Sequence, residues 1–245
     1  MTKILDQLVE RLKQAYGSDL LSVVLYGSAA VGDRDDRHSD FNVLALLQTI
    51  GVAQLRAAEP IFRWWRDLEN PAPLLMTPEE VRSSADCFPI EFHDLAEFGR
   101  VLYGTNYLQG LVIHDHDYRA EIEHELRGKL LRLRQKAAGV MLDRPLLLRL
   151  MSDSVSTFCV LMRHALALYG EPRKAAKRDI VAQAAATFHL DPEPLVTLLD
   201  LREGRRPASD LSPTALLETY LTQIQRVIAA VNTAGQSRQE GESQP

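Results

Sequence analysis

The chain has 245 residues, 46% of them apolar and 25% charged, proportions ordinary for a globular protein. That length allows one large domain or two modest ones. A net charge of −5 argues against a general nucleic-acid binder, which is basic as a rule, and no apolar run approaches the roughly 20 residues a bilayer-spanning helix needs, so neither nucleic acid nor a membrane is an expected partner.

Taken in chain order, Ile4, Leu5, Leu8, Val9, Leu12 and Tyr16 recur at helical spacing with charged residues between them, which predicts an amphipathic helix stopped by Gly17. Apolar runs at 22–26 and 41–47 predict two strands. Residues 52–67 predict a helix interrupted or kinked at Pro60. After the turn Asn70-Pro71-Ala72-Pro73 comes a short strand at Leu74-Leu75-Met76. Thr77-Pro78-Glu79-Glu80 then combines an N-cap residue, Pro at the first helical position and Glu three residues after the cap, the start of another short helix. Phe88 to Leu95 alternates in a way that predicts a third long strand, and Val101 to Gly104 supplies a further edge. From Tyr118 onward only helices are expected, at 118–138, 145–168, 174–189, 192–203 and 213–232, each opened or closed by Pro, Gly or Asp.

These elements divide the chain into an α+β unit with a mixed sheet over 1–112, an all-α helical bundle over 118–233, and a polar tail, 234–245, expected to be disordered. The only cysteines, Cys87 and Cys159, are far apart in apolar surroundings and read as small buried core residues. Asp6 stands where a signal peptide needs an apolar core, so the cytoplasm is the expected compartment.

The most specific pattern lies between the first two strands. Ser22-Val23-Val24-Leu25-Tyr26 ends in Gly27-Ser28, a turn of the kind that lets backbone N–H groups approach a phosphate. Read alone, this is also a plain strand-to-helix turn with Ser28 as N-cap. Twelve residues after the serine, Asp40-Phe41-Asn42-Val43-Leu44 opens the second strand. Residues two apart in a strand share a face, so Asp40 and Asn42 are expected side by side, facing the turn. At these residues the chain resembles the nucleotidyltransferase superfamily of the DNA polymerase β type, and within it the small bacterial members with a minimal catalytic domain and a helical C-terminal domain. Gly27, Ser28, Gly32 and Asp40 match that pattern. Asn42 departs from it, standing where a second carboxylate is usual, and so does Val31, standing where an arginine is frequent.

The resemblance implies a reaction: transfer of a nucleoside monophosphate from an NTP to a hydroxyl of a small molecule or a protein. Gly27 and Ser28 would grip the phosphates. Asp40 would hold Mg²⁺ or Mn²⁺, Asn42 would be a weakened second ligand, and Glu91 (with Asp94 as second choice) would be the third ligand or the general base. Two such ions roughly 3.5–4 Å apart bridge attacking and leaving oxygens, and an amide brings such a centre no charge. Activity is therefore expected to be weakened and the metal weakly held. The alternative is a pseudoenzyme, a degenerate nucleotide-binding or partner-binding regulatory module of the antitoxin-like kind. Asp33, Asp35 and Asp36, interleaved with Arg34 and Arg37, read as a solvated loop. Five cations between Arg127 and Lys136 read as a solvated helix face, with contact to a triphosphate or an RNA backbone as the sharper alternative.

Overall fold

In a computed structural model, residues 3–27, 30, 41–172, 174 and 176–239 are described, with side chains to residue 234. The chain separates into two compact units, 1–114 and 115–245.

The N-terminal unit is a four-stranded sheet of order β3-β2-β1-β4. Its strands are β1 (Leu20–Tyr26), β2 (Asn42–Leu47), β3 (Leu74–Met76) and β4 (Arg100–Gly104). β1 runs antiparallel to β2 and β4, and β2 runs parallel to β3, so the sheet is mixed. Helices α1 (Lys3–Tyr16) and α2 (Val52–Asp67) cover one face, burying Leu5, Leu8, Leu12, Ile61 and Trp65 against Val23, Leu25, Val43 and Ala45. α2 continues through Pro60, with Ala58, Ile61 and Trp65 buried on both sides of it. The other face packs Val24, Leu44 and Leu46 against Val81, Phe92 and Leu95. Val81 comes from α3 (Pro78–Ser83), which opens on a full capping box: Thr77 Oγ1 accepts from Glu80 N–H at 3.2 Å, and Glu80 Oε2 accepts from Thr77 N–H at 2.7 Å.

One element differs from its sequence pattern. Residues 88–95, expected as a strand carrying Glu91, instead form α4 (Pro89–Phe98). Pro89 occupies the first turn, where its missing N–H costs nothing. The residues that reach the core are Phe92 and Leu95, three apart, while Phe88, which completed the apparent alternation, is 54% exposed. Helical spacing decides which side chains are buried, and the alternation was coincidental. Cys87 also departs from expectation: it is exposed, whereas Cys159 is buried.

The second unit is all helix among the described residues: α5 (Asp115–Ala138), α6 (Arg144–Leu168), α7 (Lys177–Phe188), α8 (Glu193–Arg202) and α9 (Pro213–Gln239). α6 packs against all four others. It is long and apolar enough to cross a membrane by length and composition, but half of that apolar window is buried inside the bundle, and Arg163 and His164 are buried within it. That is the pattern of a core helix. Its polar neighbours are placed with care: Tyr118 Oη lies 2.7 Å from His164 Nδ1, and Ser154 Oγ lies 3.1 Å from the buried Tyr220 hydroxyl. Burial drives the Tyr220 pKa far above the usual phenol value. α9 runs on to Gln239, so helix replaces the irregular chain expected from 234; residues 240–245 lie outside the described residues.

Candidate functional site

β1 ends at Tyr26, and the chain turns at Gly27 with φ of +75°, a left-handed conformation that costs glycine little. The turn is also tight against its neighbour. A Cβ on Gly27 would lie 2.8 Å from Asn42 Nδ2, so only glycine lets the Asn42 amide sit there. The Gly27 carbonyl accepts from Ala30 N–H at 3.0 Å. Ser28 and Ala29 lie outside the described residues, as does 31–40, which contains Val31, Gly32, the loop acids and Asp40.

Asn42 opens β2 directly opposite Tyr26. Cross-strand partners project to the same face, and two residues back the next such pair, Val24 and Leu44, belongs to the cluster under α4. Tyr26 packs against that same cluster. Glu91, exposed in the first turn of α4, is close enough for its charge to act on Tyr26: burial first, and the Glu91 carboxylate second, push the phenol above its ordinary pKa. Tyr26 thus stands opposite Asn42 in the ladder, beside the Gly27 turn, and within electrostatic reach of Glu91. Asp94 lies one turn further along α4 and is half-buried, with Oδ1 sealed from solvent.

Two contributors carried no site signal in the sequence. Tyr26 read as the last apolar residue of a strand. Asn70 read as part of a proline turn, yet it is buried and its Oδ1 accepts from Phe41 N–H at 3.0 Å, while its Nδ2 donates to Leu68 O at 3.2 Å. It pins the residue between Asp40 and Asn42. Phe41 itself turns to the opposite face, its ring 6.2 Å from that of Trp65, as alternation along the strand requires.

Among the described residues no group of three or more His, Cys, Asp or Glu gathers as a metal site. At the sheet end those residues supply one carboxylate, Glu91, and one amide, Asn42. An amide oxygen can ligate a hard cation but adds no charge, so the fit to a dication depends on Asp40. In the second unit, the basic stretch of α5 is partly neutralised along the helix. Glu123 takes Arg119 and Arg127, each at 2.8 Å, and Glu125 takes Lys129 at 3.2 Å.

No protein-family model matches the chain, and no curated protein does. Among solved structures, the chain superposes on spectinomycin adenyltransferase AAD(9) from Enterococcus faecialis, crystallised with ATP and spectinomycin. The TM-score is 0.59 at 12% identity, over 95% of this chain and 100% of that one. The fold is that of a nucleotidyltransferase. A toxin-antitoxin crystallised with AMP-PNP also matches, at 19% identity over 41% of this chain and 74% of that one, but its TM-score of 0.29 is too low to carry an argument.

Proposed function

We propose that the chain binds a nucleoside triphosphate at the Gly27 end of the sheet and transfers its nucleoside monophosphate to a hydroxyl of a small molecule or a protein side chain. The observation that carries this reading is the packing of a left-handed glycine on the Asn42 amide, opposite a Tyr26 whose phenol feels the Glu91 charge, in a fold shared with an adenyltransferase. In the reaction the acceptor oxygen attacks the α-phosphorus, the bond from that phosphorus to the bridging oxygen breaks, and pyrophosphate leaves. Backbone N–H groups of Gly27 and Ser28 hold phosphate oxygens. Glu91, open to solvent, takes the acceptor proton or completes the metal's ligands. Asp40 and the Asn42 amide would hold Mg²⁺ or Mn²⁺, and the ion when bound would neutralise charge growing on the transferred phosphate. The cytoplasm is the proposed compartment.

Asn42 itself favours a second reading. An amide that supplies N–H donors beside the turn can bind a phosphate oxygen directly, which suits a degenerate nucleotide-binding or partner-binding regulatory module of the antitoxin-like kind. Labelled ATP with Mn²⁺ separates the two. The enzyme reading expects label on an acceptor or on the protein itself, lost in Asp40→Ala at an unchanged melting temperature. Label that survives Asp40→Ala would place the transfer elsewhere. No label after long incubation at high protein concentration, with a nucleotide-dependent rise in melting temperature, would establish the binding module.

A further inference from the structure

The tip of the hairpin between α5 and α6 combines charge and apolar exposure in a way the nucleotide site does not use. Of the twelve large apolar side chains exposed among the described residues, four fall between 131 and 146: Leu131 at 59%, Met141 at 39%, Leu142 at 102% and Leu146 at 48%. The backbone that carries them is ordered by its own bonds. Val140 N–H donates to Ala137 O at 2.9 Å, Asp143 N–H donates to Val140 O at 2.9 Å, and Asp143 Oδ1 caps α6 by accepting from Leu146 N–H at 3.0 Å. Leu142 is held out into water by a built turn.

Cations surround these side chains. Residues 127–149 contain seven Arg and Lys and a single acid, Asp143, in a chain whose net charge is −5. Arg127, Lys129 and Arg149 have carboxylate partners, and Arg144 donates to the carbonyls of Ala208 and Ser209. Arg132, Arg134 and Lys136 are exposed and have no ion pair among the described residues. On the helix, Arg132 and Lys136 lie four apart along one flank of Leu131, and Arg134 lies on the other. An exposed apolar tip flanked by cations with no ion pair among the described residues complements a surface that is anionic outside and apolar beneath. A second copy of the chain would oppose like charges across the contact, and a nucleic-acid backbone would leave Leu142 and Met141 in water.

We propose that this hairpin tip docks on an anionic lipid surface, with Met141 and Leu142 entering the headgroup layer and Arg132, Arg134 and Lys136 facing lipid phosphates and carboxylates. The full chain should float with phosphatidylcholine vesicles containing phosphatidylserine, much less with phosphatidylcholine alone, and should be released by salt. Each cation near an anionic surface is worth roughly a factor of five, so losing three weakens binding on the order of a hundredfold, and Arg132→Glu/Arg134→Glu/Lys136→Glu should weaken it by at least that much. Leu142→Asp should weaken it about tenfold. Should either variant melt early, the glutamine triple and Leu142→Ser give the same comparison. The proposal fails if phosphatidylserine adds nothing, or if binding survives in both variants. It fails equally if the chain binds polyuridylate but no vesicle, or forms a dimer that Leu142→Asp dissolves while vesicles remain unbound.

Discussion

The two units use glycine for different purposes, and the contrast shows where each is intolerant of change. In the N-terminal unit, Gly27, Gly99 and Gly104 mark close approach, while a Cβ at Gly17 or Gly110 would meet nothing within 4 Å. A Cβ on Gly104 would lie 2.0 Å from Leu21 O, one on Gly99 would lie 2.2 Å from Leu95 O, and one on Gly27 would reach the Asn42 amide. In the helical unit, a Cβ at Gly128, Gly170 or Gly204 would meet nothing within 4 Å, and one at Gly139 only a carbonyl at 3.5 Å. There Gly170 and Gly204 serve to end helices. The sheet unit therefore depends on backbone fit at three glycines that have no counterpart among the described glycines of the bundle.

The sharpest way to break this contrast is a matched pair of substitutions. Gly104→Ala meets both a φ of +77° and a backbone oxygen, and should cost roughly 3–5 kcal/mol in chemical unfolding. Gly204→Ala, with a φ of +71° but open space, should cost about 1 kcal/mol. Equal costs would mean that strain alone, and not close approach, governs both positions. Next in size is Asn70→Ala, which leaves the buried Phe41 N–H without its acceptor and should cost about 2 kcal/mol. Because Phe41 stands between Asp40 and Asn42, nucleotide binding should weaken beyond what the stability loss explains.

The same contrast accounts for what the sequence disclosed. The helices of the bundle were legible because burial there follows a period near 3.6 over long stretches, and β1 and β2 because they are apolar runs ending in a recognisable turn. The element that carries Glu91 was not legible: a strand was expected and a helix formed. Phe88, Ile90 and Phe92 alternate like a strand, and only tertiary packing shows that Phe92 and Leu95 face the core while Phe88 does not. Asn70 was invisible because its work is a single bond across 29 residues, which no local pattern encodes. The end of α9 was missed because a Gln/Ser-rich surface carries no apolar period, although a long helix already in progress adds residues cheaply.

Two smaller predictions sharpen the electrostatic side of the comparison. Asn42→Asp restores a charged ligand where the amide now sits, and should tighten Mg²⁺ binding about tenfold by calorimetry, ~1.4 kcal/mol. Equal affinities would show that position 42 does not face the ion. In the bundle, partial burial raises the Glu123 pKa, but Arg127 and Arg119 outweigh it and hold the carboxyl below its ordinary value. A depressed carboxylate contributes stability above its unfolded pKa and loses it as pH falls through the folded one. Glu123→Gln should therefore cost about 0.5 kcal/mol at neutral pH and nothing in acid below the carboxylate range, as read from paired melting curves.

On the proposed function, a triphosphate binds where β1 ends and β2 begins. A crystal structure of the chain soaked with ATP and Mg²⁺ or Mn²⁺ tests it most directly. Phosphate density is expected against the Gly27 turn, with one ion at Asp40 and Asn42 and the Glu91 carboxylate facing the α-phosphate. Nucleotide bound away from this turn, or no nucleotide at saturating ATP, would contradict it.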